Sequence, residues 1–94
     1  MILIKKHFHH ERKLITLCDS SLIGKTFEDN NLNLKITEGF YKGKKLNENI
    51  LSNVEPGVMF NIVGEESIKI ALKYKLINKK NIIKIKKIPH TIVI

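Results

Sequence analysis

This chain has one cysteine, Cys18, in 94 residues. No intrachain disulfide can form, and a reducing compartment is the expectation. It has no tryptophan and only two tyrosines, so its core must be aliphatic, carried largely by isoleucine. An apolar fraction of 43% is enough to build a modest core without staples, and the length fits a single domain over residues 1–94. No apolar run approaches the roughly 20 residues that span a bilayer. The opening Met1-Ile2-Leu3-Ile4 meets Lys5, Lys6 and a histidine cluster at once, which is not a signal-peptide pattern. These absences point to a cytoplasmic protein with no membrane partner.

Negative charge is missing most unevenly. All nine acidic residues lie within residues 1–66, beside nine of the seventeen basic ones, so that part is balanced. Residues 67–94 carry Lys69, Lys73, Lys75, Lys79, Lys80, Lys84, Lys86 and Lys87 and no acid. The whole excess of +8 therefore sits in the last third, a placement that favours a polyanionic partner. The competing explanation is a compositional bias toward Ile, Lys and Asn. Such a bias would not remove Asp and Glu.

A strand, a glycine turn and an amphipathic helix meet at Asn61-Ile62-Val63-Gly64-Glu65-Glu66-Ser67. Ile68, Ala71, Leu72 and Leu76 recur at helical spacing, which predicts a helix from Glu65 to about Leu76. Its acids come first and its lysines later, as the helix dipole prefers. A strand–glycine–helix junction can cradle a phosphate. Glu65 and Glu66 occupy that position, so a structural turn is expected, with Asn61 capping or bracing it.

The remaining elements follow in order. Ile2–Phe8 predicts a first strand, and His9-His10-Glu11 a hairpin connection. Lys13–Cys18, apolar on both faces, predicts a central strand. Asp19-Ser20-Ser21 is a turn and helix-cap signal, with one short helical turn at Leu22-Ile23-Gly24. Glu28–Asn31 reads as a polar loop, and Leu32–Ile36 alternates as a half-buried strand. Gly39–Gly43 reads as an aromatic turn. Leu46–Val54 predicts a short helix capped by Asn47 and ended by Pro56-Gly57. Residues 77–81 read as a linker, Ile82–Ile88 as a strand interrupted by Pro89, and Thr91–Ile94 as a last short strand. The sum is an α+β fold: a two-layer sandwich with a mixed sheet and two or three helices on one face. A small parallel α/β fold is the alternative.

Several residues invite a chemical reading. Cys18-Asp19 at a strand end, with His90 as base, would make a nucleophilic pair if the side chains came within hydrogen-bond reach. A lone cysteine closing an apolar strand is more often a small buried hydrophobe. Gly24-Lys25-Thr26 echoes the end of a phosphate-binding loop but lacks the upstream glycine. His7 and His9 share a strand face beside His10 and Glu11, without the partners a metal site needs. Phe40-Tyr41 near Lys42, Lys44 and Lys45 offers stacking beside positive charge, as single-stranded RNA recognition uses, or a turn anchored on the core. No catalytic residue, cofactor or metal site is assigned.

Leu17-Cys18-Asp19, Leu22, Gly24-Lys25-Thr26-Phe27, Phe40-Tyr41 with Gly43, Asn61-Ile62-Val63-Gly64-Glu65 with Ser67, and Ile88-Pro89-His90 also form an ordered set. In that set the chain resembles the archaeal domain-of-unknown-function 424 family over nearly its whole length. The resemblance implies an archaeal, cytoplasmic protein with a two-layer α/β fold and no established activity. The leading functional expectation is a non-enzymatic, ribosome- or translation-associated RNA-binding protein, with Lys69, Lys73, Lys79, Lys80, Lys84, Lys86 and Lys87 on RNA phosphates. The second is a protein–protein adaptor for a translation factor, using the Asn61–Ser67 turn and the Gly24-Lys25 region. The third is a cryptic enzyme using Cys18, Asp19 and His90.

Overall fold

The computed structural model describes residues 1–94. Strands β1 (Ile2–His9) and β2 (Arg12–Asp19) pair antiparallel along their whole length, from Ile2↔Asp19 to His9↔Arg12. Two residues join them, His10 and Glu11, at φ 48° and 63°. That left-handed pair is the turn whose twist matches the flanking strands. A 3-10 turn at Ser20–Leu22 follows. Strands β3 (Thr26–Asp29) and β4 (Leu32–Lys35) then form a separate hairpin. Glu28 and Asp29, expected in a loop, are strand residues here. They pair with Asn33 and Leu32 because a two-residue turn at Asn30-Asn31 brings the chain straight back.

Helix α1 (Glu38–Tyr41) replaces the expected aromatic turn, and Thr37 Oγ1 caps it by accepting from the Phe40 N–H at 3.4 Å. Strand β5 (Lys44–Lys45) is followed by a 3-10 helix over Glu48–Asn53. Asn47 caps that helix, as its sequence position predicts. Strand β6 (Met59–Val63) and helix α2 (Glu65–Lys73) come next. Residues 77–81, expected as a linker, contain a 3-10 turn at Lys79–Asn81 capped by Asn78. Strands β7 (Ile83–Ile85) and β8 (Ile88–Val93) end the chain. The single strand expected over residues 82–88 is therefore a hairpin. Lys86 and Lys87, at φ 50° and 69°, form its turn, without the Asn-Gly signal that marks such turns. Pro89 lies inside β8 rather than interrupting it. It sits one residue before β8 begins to pair with β6 at His90↔Val63.

The main sheet has the order β5-β1-β2-β6-β8-β7. Only β2 and β6 run parallel; every other neighbour is antiparallel. This is the mixed sheet of an α+β fold, with β2 central as its doubly apolar pattern requires. On one face, Ile4, Ile15, Leu17, Phe60 and Ile62 pack under Leu51 and under Ile68 and Ala71 of α2. The other face carries Cys18 and Val63, beneath Leu34, Ile36 and Tyr41. The expectation of helices on one face holds for α2 and the Glu48–Asn53 helix. Helix α1 lies on the opposite face with the β3–β4 hairpin, because strands apolar on both sides need cover on both sides. No helix is long and apolar enough to cross a membrane.

Candidate functional site

The junction between β6 and α2 is held from a distance. Asp19, at the end of β2, reaches across to the start of α2. Its carboxylate accepts from the Glu66 N–H at 3.1 Å, the Ser67 N–H at 2.8 Å and the Ser67 hydroxyl at 2.7 Å. The first turn of α2 thus has its anion, supplied by this chain. Gly64 lies at φ 108°, and a Cβ there would overlap the Asp19 carboxylate. The glycine is required twice, by its backbone angle and by this approach. Asn61, expected to cap or brace the turn, does not reach the helix. Glu65 is exposed, and Glu66 pairs with the N-terminal ammonium at 3.4 Å.

Asn61 instead joins a polar cluster on the hairpin-covered face. Its Oδ1 accepts from the Tyr41 hydroxyl and lies 3.0 Å from His90 Nε2. His90 is buried, and burial holds its imidazole below the usual value. Burial likewise pushes the Tyr41 phenol up to about 12. Cys18 is fully buried; burial, then the Asp19 charge, push its thiol up to about 12. The thiol is directed to the Asp19 carbonyl at 3.3 Å. Cys18 and His90 share one row of the sheet, but Val63 on β6 stands between them. Two strand spacings are about 10 Å, so the nucleophile–base pair is not assembled. A thiol with so high a pKa is the opposite of an activated one.

Gly24-Lys25 is spent on the fold as well. The Gly24 N–H donates to Ile36, the Lys25 N–H to Leu22, and the Lys25 carbonyl accepts from Ile36. No cradle of free N–H groups remains there. His7 stacks on Phe40 with ring centroids 4.7 Å apart, and its Nε2 lies 2.9 Å from the Phe40 carbonyl. His9 meets His10 edge-on. Tyr41 is a core anchor, and Phe40 is tied to β1 through His7.

The lysines of the last third divide into groups. Lys69 on α2, Lys79 on the 3-10 turn and Lys84 on β7 line one open groove of about 500 Å³. Ile68, Leu72 and Ile82 contribute its apolar walls, and Glu65 is its single acid. None of these lysines is in an ion pair. Lys80 adjoins Lys79, and Lys86-Lys87 form the exposed hairpin tip next to Lys84. Lys73 stands apart: its ammonium binds Glu48 at 2.7 Å, and the Tyr74 hydroxyl donates to the same oxygen. The Lys73 hydrogen bond, then that of Tyr74, hold the Glu48 carboxyl below its usual range. The sequence announces the lysines but not which of them converge, since helix, turn and strand meet only in the fold.

A second groove, of about 430 Å³, opens on the opposite face between His7, Phe8, Leu14, Phe40, Met59 and Ile92. Phe8 is 71% exposed and Ile92 54%.

The family model described as "Protein of unknown function (DUF424)" matches residues 7–94. No curated protein matches the chain. Among solved structures, an uncharacterized conserved protein from Methanopyrus kandleri is similar, with a TM-score of 0.81 at 24% identity. The match covers 98% of this chain and 89% of that one, and it establishes a shared fold.

Proposed function

From the premise that this chain belongs to the DUF424 family, we propose that it is a non-enzymatic RNA-binding protein that works with the ribosome or another part of the translation machinery. One observation carries the reading: the groove in which Lys69, Lys79 and Lys84 converge without ion-pair partners. Three glutamates outside it are each paired, Glu48 with Lys73, Glu55 with Lys13 and Glu66 with the N-terminus. The positive charge of the groove is left for a ligand. Phosphate contacts of this kind supply affinity without sequence readout. The test is cosedimentation with archaeal ribosomal subunits and bulk RNA across a salt series. Saturable binding to one subunit, lost in Lys84→Glu, supports the ribosomal role. Absence of binding at low salt removes the reading.

The second reading, an adaptor for a translation factor, is supported by a different surface from the one the sequence suggested. Much of the Asn61–Ser67 turn is buried, and Gly24-Lys25 is bonded internally. The apolar groove with exposed Phe8 and Ile92 offers a protein contact instead. Capture of a translation factor that survives Lys84→Glu and is lost in Phe8→Ser would favour it.

A further inference from the structure

The opposite edge of the main sheet carries a second concentration of positive charge. Strand β5 is only Lys44-Lys45, paired to Ile4 and Leu3 of β1. Gly43 precedes it, and a Cβ at that position would overlap the Ile4 carbonyl and the Lys5 side chain. The glycine therefore lets β5 lie close against β1. A cleft of about 490 Å³ opens there, lined by Lys5, Lys6, Lys44 and Lys45 together with Ile4 and Ile50. No acid lines it. Lys5 is held by the Gly39 carbonyl, whereas Lys44 and Lys45 make no ion pair.

We propose that this cleft is a second phosphate-contact surface, and that one RNA strand binds across both sheet edges at once. The inference rests on the RNA-binding reading and extends it to a residue set the charge balance of residues 1–66 conceals. The two clefts flank the layer formed by α2 and the Glu48–Asn53 helix. Five strand spacings separate the edge strands β5 and β7, about 24 Å, within a molecule of 36 × 28 × 28 Å. Of the acids on that layer, Glu48 is already neutralised by Lys73 and Glu66 by the N-terminal ammonium, and Glu65 lines the α2 cleft. A polyanion crossing it meets three lysines against the one acid Glu65 at the α2 end, and four lysines with no acid at the β5 end. A flat contact with lysines at two edges selects for length: a short oligonucleotide occupies one cleft, a longer one both, with the second contact made at high effective concentration.

The test is binding of single-stranded RNA oligonucleotides of about 4 and about 16 nucleotides to three proteins. These are the wild type, Lys44→Gln/Lys45→Gln and Lys69→Gln/Lys84→Gln. The wild type is expected to bind the longer RNA at least about tenfold more tightly than the shorter one on a per-site basis. Each double variant should lose most of that length advantage, and the salt slope should fall by about 1.5 for the two charges removed. Lys44→Arg/Lys45→Arg should keep both, which separates lost charge from a disturbed edge strand. Should Lys44→Gln/Lys45→Gln bind the longer RNA as the wild type does, while Lys69→Gln/Lys84→Gln is weakened, the second surface is overturned and the first groove stands. No binding of either RNA by the wild type at low salt overturns both. Capture by anionic phospholipid vesicles but not by RNA would likewise overturn it.

Discussion

Asp19 satisfies two backbone N–H groups and a buried hydroxyl from another element, so its replacement by alanine leaves all three unpaired. Asp19→Ala is expected to cost about 2–3 kcal/mol, read as a lowered midpoint in urea with an unchanged slope. An equally unfolding-resistant variant would show that the cap contributes nothing. Cys18 should behave as an inert thiol, since it is fully buried and its pKa lies near 12. A thiol reagent at pH 8 should label it in denaturant and leave it unlabelled in the native protein. His90 makes stability depend on pH. Its folded pKa is depressed by burial, so its contribution is complete above the unfolded value near 6.5 and is lost as pH falls from there toward the folded one. Wild type should therefore lose more stability than His90→Gln between pH 7.5 and 5.5, measured by chemical denaturation at each pH. At this scale the residue types were legible but their partners were not. Asp19 reads as a turn or cap signal beside Ser20, and its real partner lies 48 positions away at Ser67. Asn61 reads as a cap because it precedes a glycine turn, yet strand alternation aims it at Tyr41 and His90 instead.

Helix α2 illustrates what is legible in an element. Its apolar spacing and charge order mark its start and its buried face. Its end is set by geometry that the composition hides. Lys75 lies at φ 59°, and the Lys75 and Leu76 N–H groups donate to Leu72 and Ala71. That is a Schellman ending, in which the left-handed residue is usually glycine. Lys75→Gly is expected to stabilise the protein by about 0.5–1 kcal/mol. The β7–β8 turn makes the same point with a functional edge. Two lysines hold left-handed angles where Asn-Gly is favoured. Lys86→Asn/Lys87→Gly should raise the melting temperature. If the tip touches RNA, the same change should also weaken binding, so stability and affinity move in opposite directions. A variant that is both more stable and unimpaired in binding removes the tip from the interface. The sequence predicts one strand because Ile83 and Ile85 alternate with Lys84 and Lys86, and no Gly or Asn marks the reversal at Lys86-Lys87.

At the scale of the molecule, the arrangement of charge is the property that matters. If about five phosphates are neutralised, log affinity should fall with log salt at a slope of roughly −4. Removing single lysines at Lys69, Lys79 or Lys84 should each reduce that slope by about 0.7 to 0.9. Lys73→Gln should do much less, because its ammonium is already engaged by Glu48. Measuring binding of the four single variants over a salt series checks the distinction. An equal effect at Lys73 would mean that net charge, and not the groove, controls affinity.

By itself the amino-acid sequence determined the fold class, the central place of β2, the helix after Gly64 and the absence of acid beyond residue 66. Each of these follows from local periodicity or composition, which neighbouring residues set between them. Tertiary structure decided the rest. It placed helix α1 and the β3–β4 hairpin on the second face, gave the α2 N-terminus to Asp19 and separated Cys18 from His90 by a strand. It also gathered Lys69, Lys79 and Lys84 in one groove while committing Lys73 to Glu48. Those outcomes depend on which strands become neighbours, and strand order is set by burial of the whole sheet rather than by any stretch of chain.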